Sequence, residues 1–169
     1  MRALNEELLS GNRCFGCGPD NPSGLQIRIY RDGERTDRLV GTYAPRPEHI
    51  GFPEIVHGGA QFTALDCMAG WTMLILRAPP RSMPLTTSAS MRFLKPAVLG
   101  EPLALSAAVV RELGPSREPL GIRAEIRSAG GELLSEAMFD YVALPIEKFM
   151  KVVGVDAIPE HYRRHFGDI

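Results

Sequence analysis

The sequence has almost no charge imbalance. Nineteen Lys and Arg against twenty Asp and Glu leave a formal net charge of −1, and no run of basic residues interrupts the chain. That balance excludes a nucleic-acid surface or an anionic membrane as the main partner, because both demand clustered cations. A leader pattern is also lacking. Met1-Arg-Ala-Leu-Asn-Glu-Glu-Leu-Leu carries acids where a signal peptide has a basic region and then an apolar stretch. The expectation is a soluble, intracellular, cytoplasmic protein. Internal repeats, low-complexity tracts and interdomain linkers are missing too. The 169 residues therefore read as a single domain over 1–169, large enough for a substantial core.

Cysteine is scarce, with three residues that make no paired framework. Cys14-Phe-Gly-Cys17 is half of a zinc knuckle and needs two more ligands. No second pair follows, and His161 and His165 lie at the far end of the chain. A tight turn with reduced thiols is the preferred reading, so no metal is expected. A thioredoxin-like redox role is disfavoured as well, because no strand–helix unit follows the pair.

What the chain does have is an apolar run. Between His57 and Arg77 lie nineteen residues, nearly all apolar or small, with one charged side chain, Asp66. The run predicts a helix over 58–76 with no wet face, buried by protein on most sides. Asp66, Gln61 and three glycines weaken a membrane-spanning alternative. A carboxylate in such a helix must be paired, hydrogen-bonded or kept for chemistry, since burying an ionised group is costly. The Gly58-Gly59 entry leaves backbone N–H groups free at the helix N-terminus, where an oxyanion can bind.

Around this helix the pattern predicts strands. Residues 1–10 read as a short helix and 11–24 as a loop. Leu25–Tyr30 and Arg38–Tyr43 form a hairpin about Asp32-Gly33. Pro45, Pro47 and Pro53 mark an irregular approach to the helix, and Pro79, Pro80 and Pro84 end it. Four more strands follow: Thr86–Phe93, Leu103–Val110, Gly121–Arg127 and Leu133–Leu144, with turns at Gly100-Glu-Pro102, Gly114-Pro115 and Ala129-Gly130-Gly131. In the first of these, Thr86, Ser88, Ser90 and Arg92 alternate with Thr87, Ala89, Met91 and Phe93. The tail over 146–169 is expected to hold one or two short surface helices. Strand runs about a single helix indicate α+β architecture, a curled antiparallel sheet wrapped around one long central helix.

This order, with His57-Gly58-Gly59 followed after six residues by Asp66, resembles the hotdog-fold acyl-CoA thioesterases. The branch it is most like includes the phenylacetic-acid-pathway thioesterase. Cys14-Phe-Gly-Cys17-Gly-Pro-Asp-Asn-Pro-Ser-Gly-Leu25 and Phe93-Leu-Lys-Pro96 followed by Gly100 are similar to segments found there. The likeness in strand order covers about residues 14–144 and leaves out the tail over 145–169. It implies hydrolysis of an acyl-CoA without metal or cofactor, the CoA thioester being substrate. By position, Gly58 N–H would hold the thioester oxygen, and Asp66 would act as nucleophile or as the base that activates water. Thr86 would help orient that water, and His57 would orient or support the helix entry. His57, Gly59, Arg92 and Lys95 complete the candidate substrate-binding set, the last two toward CoA phosphates. Relatives often place an amide six or seven residues before the histidine; here those positions are Ile50 and Gly51. Cys67 stands where many relatives carry a second acid.

Helix geometry adds a condition. Gly58 and Asp66 are eight positions apart, roughly 12 Å along a helix, whereas reacting groups need approach of about 3 Å. Two such helices, antiparallel, would bring Gly58 of one chain to Asp66 of another, which favours a homodimer or a dimer of dimers with sites across the interface. Three rival readings remain on the sequence alone: a non-enzymatic acyl-CoA or CoA-binding module, an acyl-CoA dehydratase on the same fold, and a purely structural dimer module. Structural roles also compete at each residue. Met68, Trp71, Met73 and Ile75 read first as core or dimer contacts, and His49 as structural.

Overall fold

A computed structural model describes residues 2–9, 11–112 and 119–157. In chain order its elements are helix α1 (Leu4–Glu7), strands β1 (Arg28–Arg31) and β2 (Arg38–Tyr43), a 3-10 turn (Pro47–His49), strands β3 (Ile50–Phe52) and β4 (Ile55–Val56) and helix α2 (Gly58–Leu76). Strands β5 (Ser82–Phe93), β6 (Leu103–Arg111), β7 (Leu120–Arg127) and β8 (Leu133–Pro145) and helix α3 (Ile146–Val153) complete the chain. Six strands form one antiparallel sheet in the order β1-β2-β6-β7-β8-β5, and β3 with β4 makes a separate small hairpin. The expected α+β hotdog architecture is therefore present: one sheet and one long helix lying across it.

The alternation of β6 and β7 explains how the sheet meets the helix. Leu103, Leu105 and Ala107 alternate with more exposed neighbours, as do Ile122, Ala124 and Ile126. This period-2 face packs on Leu65, Met68 and Met73 of α2, all with no exposed surface. Trp71 also lies in that core. The helix is not covered all round by its own chain, however. Gly59 and Phe62 are exposed, and Thr63 and Asp66 are half-buried. No described helix is long and apolar enough to cross a membrane.

Four differences from the sequence expectation have physical causes. The first strand begins at Arg28, not Leu25, because Leu25 N–H and Ile27 N–H donate to Phe15 and Gly16 carbonyls instead of to a neighbouring strand. Asn5 reinforces that arrangement, bonding the Cys17 and Ile27 carbonyls and accepting from Ile29 N–H. The β3–β4 hairpin replaces a segment expected to be irregular; its strands of three and two residues are too short to show a period around Pro53. Strand β5 begins at Ser82 despite Pro84, which an edge strand tolerates. Of the tail, α3 is seen and ends at Gly154 in the left-handed region. The expected turn at Gly114-Pro115 and the histidines at 161 and 165 lie outside the described residues.

The fourth difference matters most for the site. Pairing of β5 with β8 runs Thr86↔Tyr141 and then Ser88↔Asp140, so Thr87 is an extra residue, a β-bulge. Simple alternation puts Thr86 on one face with Ser88, Ser90 and Arg92. The bulge moves Thr86 to the helix side, which it shares with Ala89, Met91 and Phe93, and sends Ser88 and Arg92 to the outer face.

Candidate active site

Helix α2 carries two different openings. At its first turn, a cavity of about 400 Å³ is lined by Gly58, Gln61, Ile55, Phe93 and Lys95 among others. Halfway along, a second cavity of about 210 Å³ is lined by Asp66, Thr86, Tyr141, Trp71 and the three cysteines among others. The structure thus places Gly58 and Asp66 in separate cavities of the chain, as the helical rise requires.

In the second cavity Asp66 is held from one side. Thr86 Oγ1 donates to Asp66 Oδ1 at 3.0 Å, and Tyr141 OH approaches the same oxygen at 3.2 Å and the Asp66 carbonyl at 3.0 Å. Both donors reach one oxygen because Thr86 and Tyr141 are cross-strand partners immediately before the bulge. Burial, and then the nearby Asp66 charge, push the Tyr141 phenol far above its ordinary range, so it stays a donor. Among the described residues no donor meets Asp66 Oδ2. Asp66 lines a cavity large enough for water. Tyr141 was not singled out from sequence; its only signal was a place in a long apolar strand.

At the first turn, His57 is the N-cap, and its Nδ1 accepts from Gly59 N–H at 2.8 Å. A neutral His57 therefore keeps its proton on Nε2. The Gly59 N–H expected for substrate is already occupied by His57. Gln61 N–H is occupied too, donating to the His57 carbonyl. Gly58 N–H meets no acceptor among the described residues. A Cβ at Gly58 would stand 3.2 Å from the Phe93 ring, so the glycine lets that ring close over the helix end. Gln61 also lines this cavity; its Nε2 donates to the Val56 carbonyl and its Oε1 is buried without a partner among the described residues.

The two basic candidates separate. Lys95 lines the Gly58 cavity and pairs with Glu132. Arg92 is carried by the bulge to the outer face, where it pairs with Glu136 at 3.1 Å. The structure brings Arg92 to neither cavity. His49 is packed, its Nδ1 bonded to Tyr43 OH and Arg46 N–H, and burial holds its pKa below the ordinary value.

The three thiols are free and adjacent. Cys14 Sγ lies 3.7 Å from Cys67 Sγ, and Trp71 Nε1 donates to Cys17 Sγ at 3.2 Å. Hydrogen bonds from Cys17 and Cys67, with help from backbone N–H groups of Cys17 and Gly16, hold the Cys14 thiol far below its ordinary range. The bond to Cys14 pushes Cys17 up to about 12, and bonds to Cys14 and Cys17 raise Cys67.

Comparison with known proteins bears on the fold. Residues 54–116 match the model of the thioesterase superfamily. A comparison with curated protein sequences finds no match. Among solved structures, a hypothetical thioesterase from Streptococcus pneumoniae with coenzyme A is similar at 21% identity and a TM-score of 0.59, over 70% of this chain and 89% of that one. A Streptococcus mutans protein bound to acetyl CoA is similar at 18% identity and a TM-score of 0.57, over 64% and 82%. The E. coli PaaI protein from the phenylacetic acid degradation operon is similar at 18% identity and a TM-score of 0.58, over 69% and 82%. At these identities the structures establish the fold. Sheet and helix together have the hotdog fold of these structures, and residues 54–116 are similar to the thioesterase superfamily.

Proposed function

We propose that the protein is an acyl-CoA thioesterase whose sites lie between two copies of the chain, Asp66 coming from one and Gly58 N–H from the other. The observation that carries this reading is the half-tethered carboxylate: Asp66, which lines the cavity, has two hydroxyls on Oδ1 and no donor among the described residues on Oδ2. A carboxylate held in that way is oriented for proton abstraction and cannot rotate freely.

Strand β5 supports the pairing. It is an edge strand, with Thr86–Ser90 exposed. In each protomer it runs from Thr86, beside Asp66, to Phe93, beside Gly58. Two copies joined antiparallel along this edge put the start of one strand against the end of the other, so that Asp66 approaches Gly58 of the partner subunit. Exposed Phe62 and Phe93, at 37% and 57%, belong to the surface such pairing would cover.

In the proposed step, a water bound at Asp66 Oδ2 gives its proton to that oxygen and attacks the thioester carbon. The carbonyl oxygen takes the negative charge and accepts from Gly58 N–H of the partner subunit at the positive end of α2. Collapse of the intermediate breaks the carbon–sulfur bond and releases CoA thiolate, a good leaving group that needs no strong acid. The proton on Asp66 then returns to solvent. The S. pneumoniae relative with coenzyme A and the S. mutans relative with acetyl CoA support a CoA-containing substrate here. The cytoplasm is its proposed location.

The test is steady-state hydrolysis of an acyl-CoA panel by wild-type protein and by Asp66→Asn, with free thiol as readout. The variant should lose about 10²–10⁴-fold in kcat while keeping its fold and oligomeric state. Unchanged turnover would remove Asp66 from the chemistry. CoA binding by wild type with no thiol release from any acyl-CoA would favour a non-enzymatic binding module instead.

A further inference from the structure

The cysteines have no part in the hydrolysis above, yet the fold gathers them from two distant segments. Cys14 and Cys17 come from the loop after α1, and Cys67 from the middle of α2. All three sulfurs lie within 4.8 Å of one another. A tetrahedral cation with Zn–S bonds of about 2.3 Å places its sulfurs about 3.8 Å apart. The Cys14–Cys67 separation of 3.7 Å already has that value.

The surroundings are also those of a metal–thiolate site. The Trp71 indole N–H, which can only donate, points at Cys17 Sγ at 3.2 Å, and Asn12 Nδ2 lies 3.9 Å from the same atom. Such donors stabilise sulfur carrying negative charge and orient it for a cation. Two glycines make the approach possible. A Cβ at residue 16 would lie 2.4 Å from Cys67 Sγ, and one at residue 18 would lie 2.5 Å from the Cys14 backbone nitrogen. The Cys-Phe-Gly-Cys-Gly turn is thus shaped to let a third sulfur in, which a two-residue disulfide does not require.

We propose that Cys14, Cys17 and Cys67 form a three-thiolate site for a zinc-class cation that fastens the 11–24 loop to helix α2. On binding, the thiols release their protons to solvent. The fourth position opens on the cavity shared with Asp66, where water completes the tetrahedron. The site borders the hydrolytic centre but does not depend on it, so metal uptake and thioester turnover can be judged separately.

The experiment uses the full-length chain, reduced and stripped with a chelator, then titrated with Co²⁺ as a spectroscopic stand-in for Zn²⁺. One equivalent should produce near-ultraviolet thiolate-to-cobalt absorption, and one equivalent of Zn²⁺ should bleach it. Cys67→Ser should weaken cobalt binding on the order of 100-fold, at least the loss seen when outer-shell partners are removed. Zinc should also protect all three cysteines of the wild-type chain from alkylation, read by mass spectrometry, which avoids reliance on a variant that fails to fold. No absorption from the reduced wild type, a cobalt affinity unchanged by Cys67→Ser, or zinc protection of fewer than three cysteines would overturn the proposal.

Discussion

The two cavities along α2 are opposites. The first-turn cavity offers an N–H without an acceptor and no acid. The mid-helix cavity offers a fixed carboxylate, while the N–H groups within α2 around it are consumed by the helix itself. Each lacks what the other has. In the proposed reading one helix supplies both halves of a hydrolytic centre, its own length keeps them apart, and the halves meet only when two copies pair. Strand β5, at the sheet edge and touching both cavities, is the proposed seam between the copies.

The sharpest way to break the comparison is to remove the donor from its own cavity. Gly58→Pro deletes the N–H at the first helical position, where proline is tolerated and where His57 already has an extended backbone. The Phe93 ring must give way slightly. kcat should fall about 10²–10³-fold with the helix intact by circular dichroism. A loss equal to that of unfolding, with the dimer gone, would mean that Gly58 matters for packing instead.

A smaller effect is expected at the other cavity. Tyr141→Phe removes one of two donors to Asp66 Oδ1 and leaves Thr86 in place. Since a hydrogen bond to a charged group contributes about 1.5–3 kcal/mol, kcat should drop roughly 10–100-fold, with KM changing less. A change confined to KM would make Tyr141 a substrate contact and not a positioning residue. The smallest effect belongs to Arg92→Ala. Its side chain is on the outer face with Glu136, so kcat/KM for an acyl-CoA should stay within about twofold of wild type. A larger loss would bring that face into CoA binding.

Arg92 also marks the limit of what could be read from sequence. Helix α2 was legible to the residue because nineteen apolar positions bounded by a His-Gly-Gly entry and prolines admit little else. Most sheet strands were legible from their period-2 pattern. The bulge at Thr87 was not, since nothing in Thr86-Thr87-Ser88 distinguishes an extra residue from a regular one. That single insertion decides that Thr86 meets Asp66 and that Arg92 does not. Tyr141 was hidden for a related reason: its role depends on a cross-strand partner and not on its neighbours in sequence. The cysteines give the clearest case. Cys14 and Cys17 looked like half of a site because Cys67, fifty residues away, reads as one more apolar position of the helix until the loop is seen to fold over it.

The central claim is that each centre is shared between two chains, and mixing tests it most directly. Asp66→Asn and Gly58→Pro chains, each inactive alone, are co-refolded in equal amounts and assayed for thioester hydrolysis. About half of the dimers should be mixed, and each mixed dimer rebuilds one complete centre of two, so activity should return to about a quarter of the wild-type level. No recovery, with mixed dimers present by native mass spectrometry, would contradict the account and confine the chemistry to a single chain.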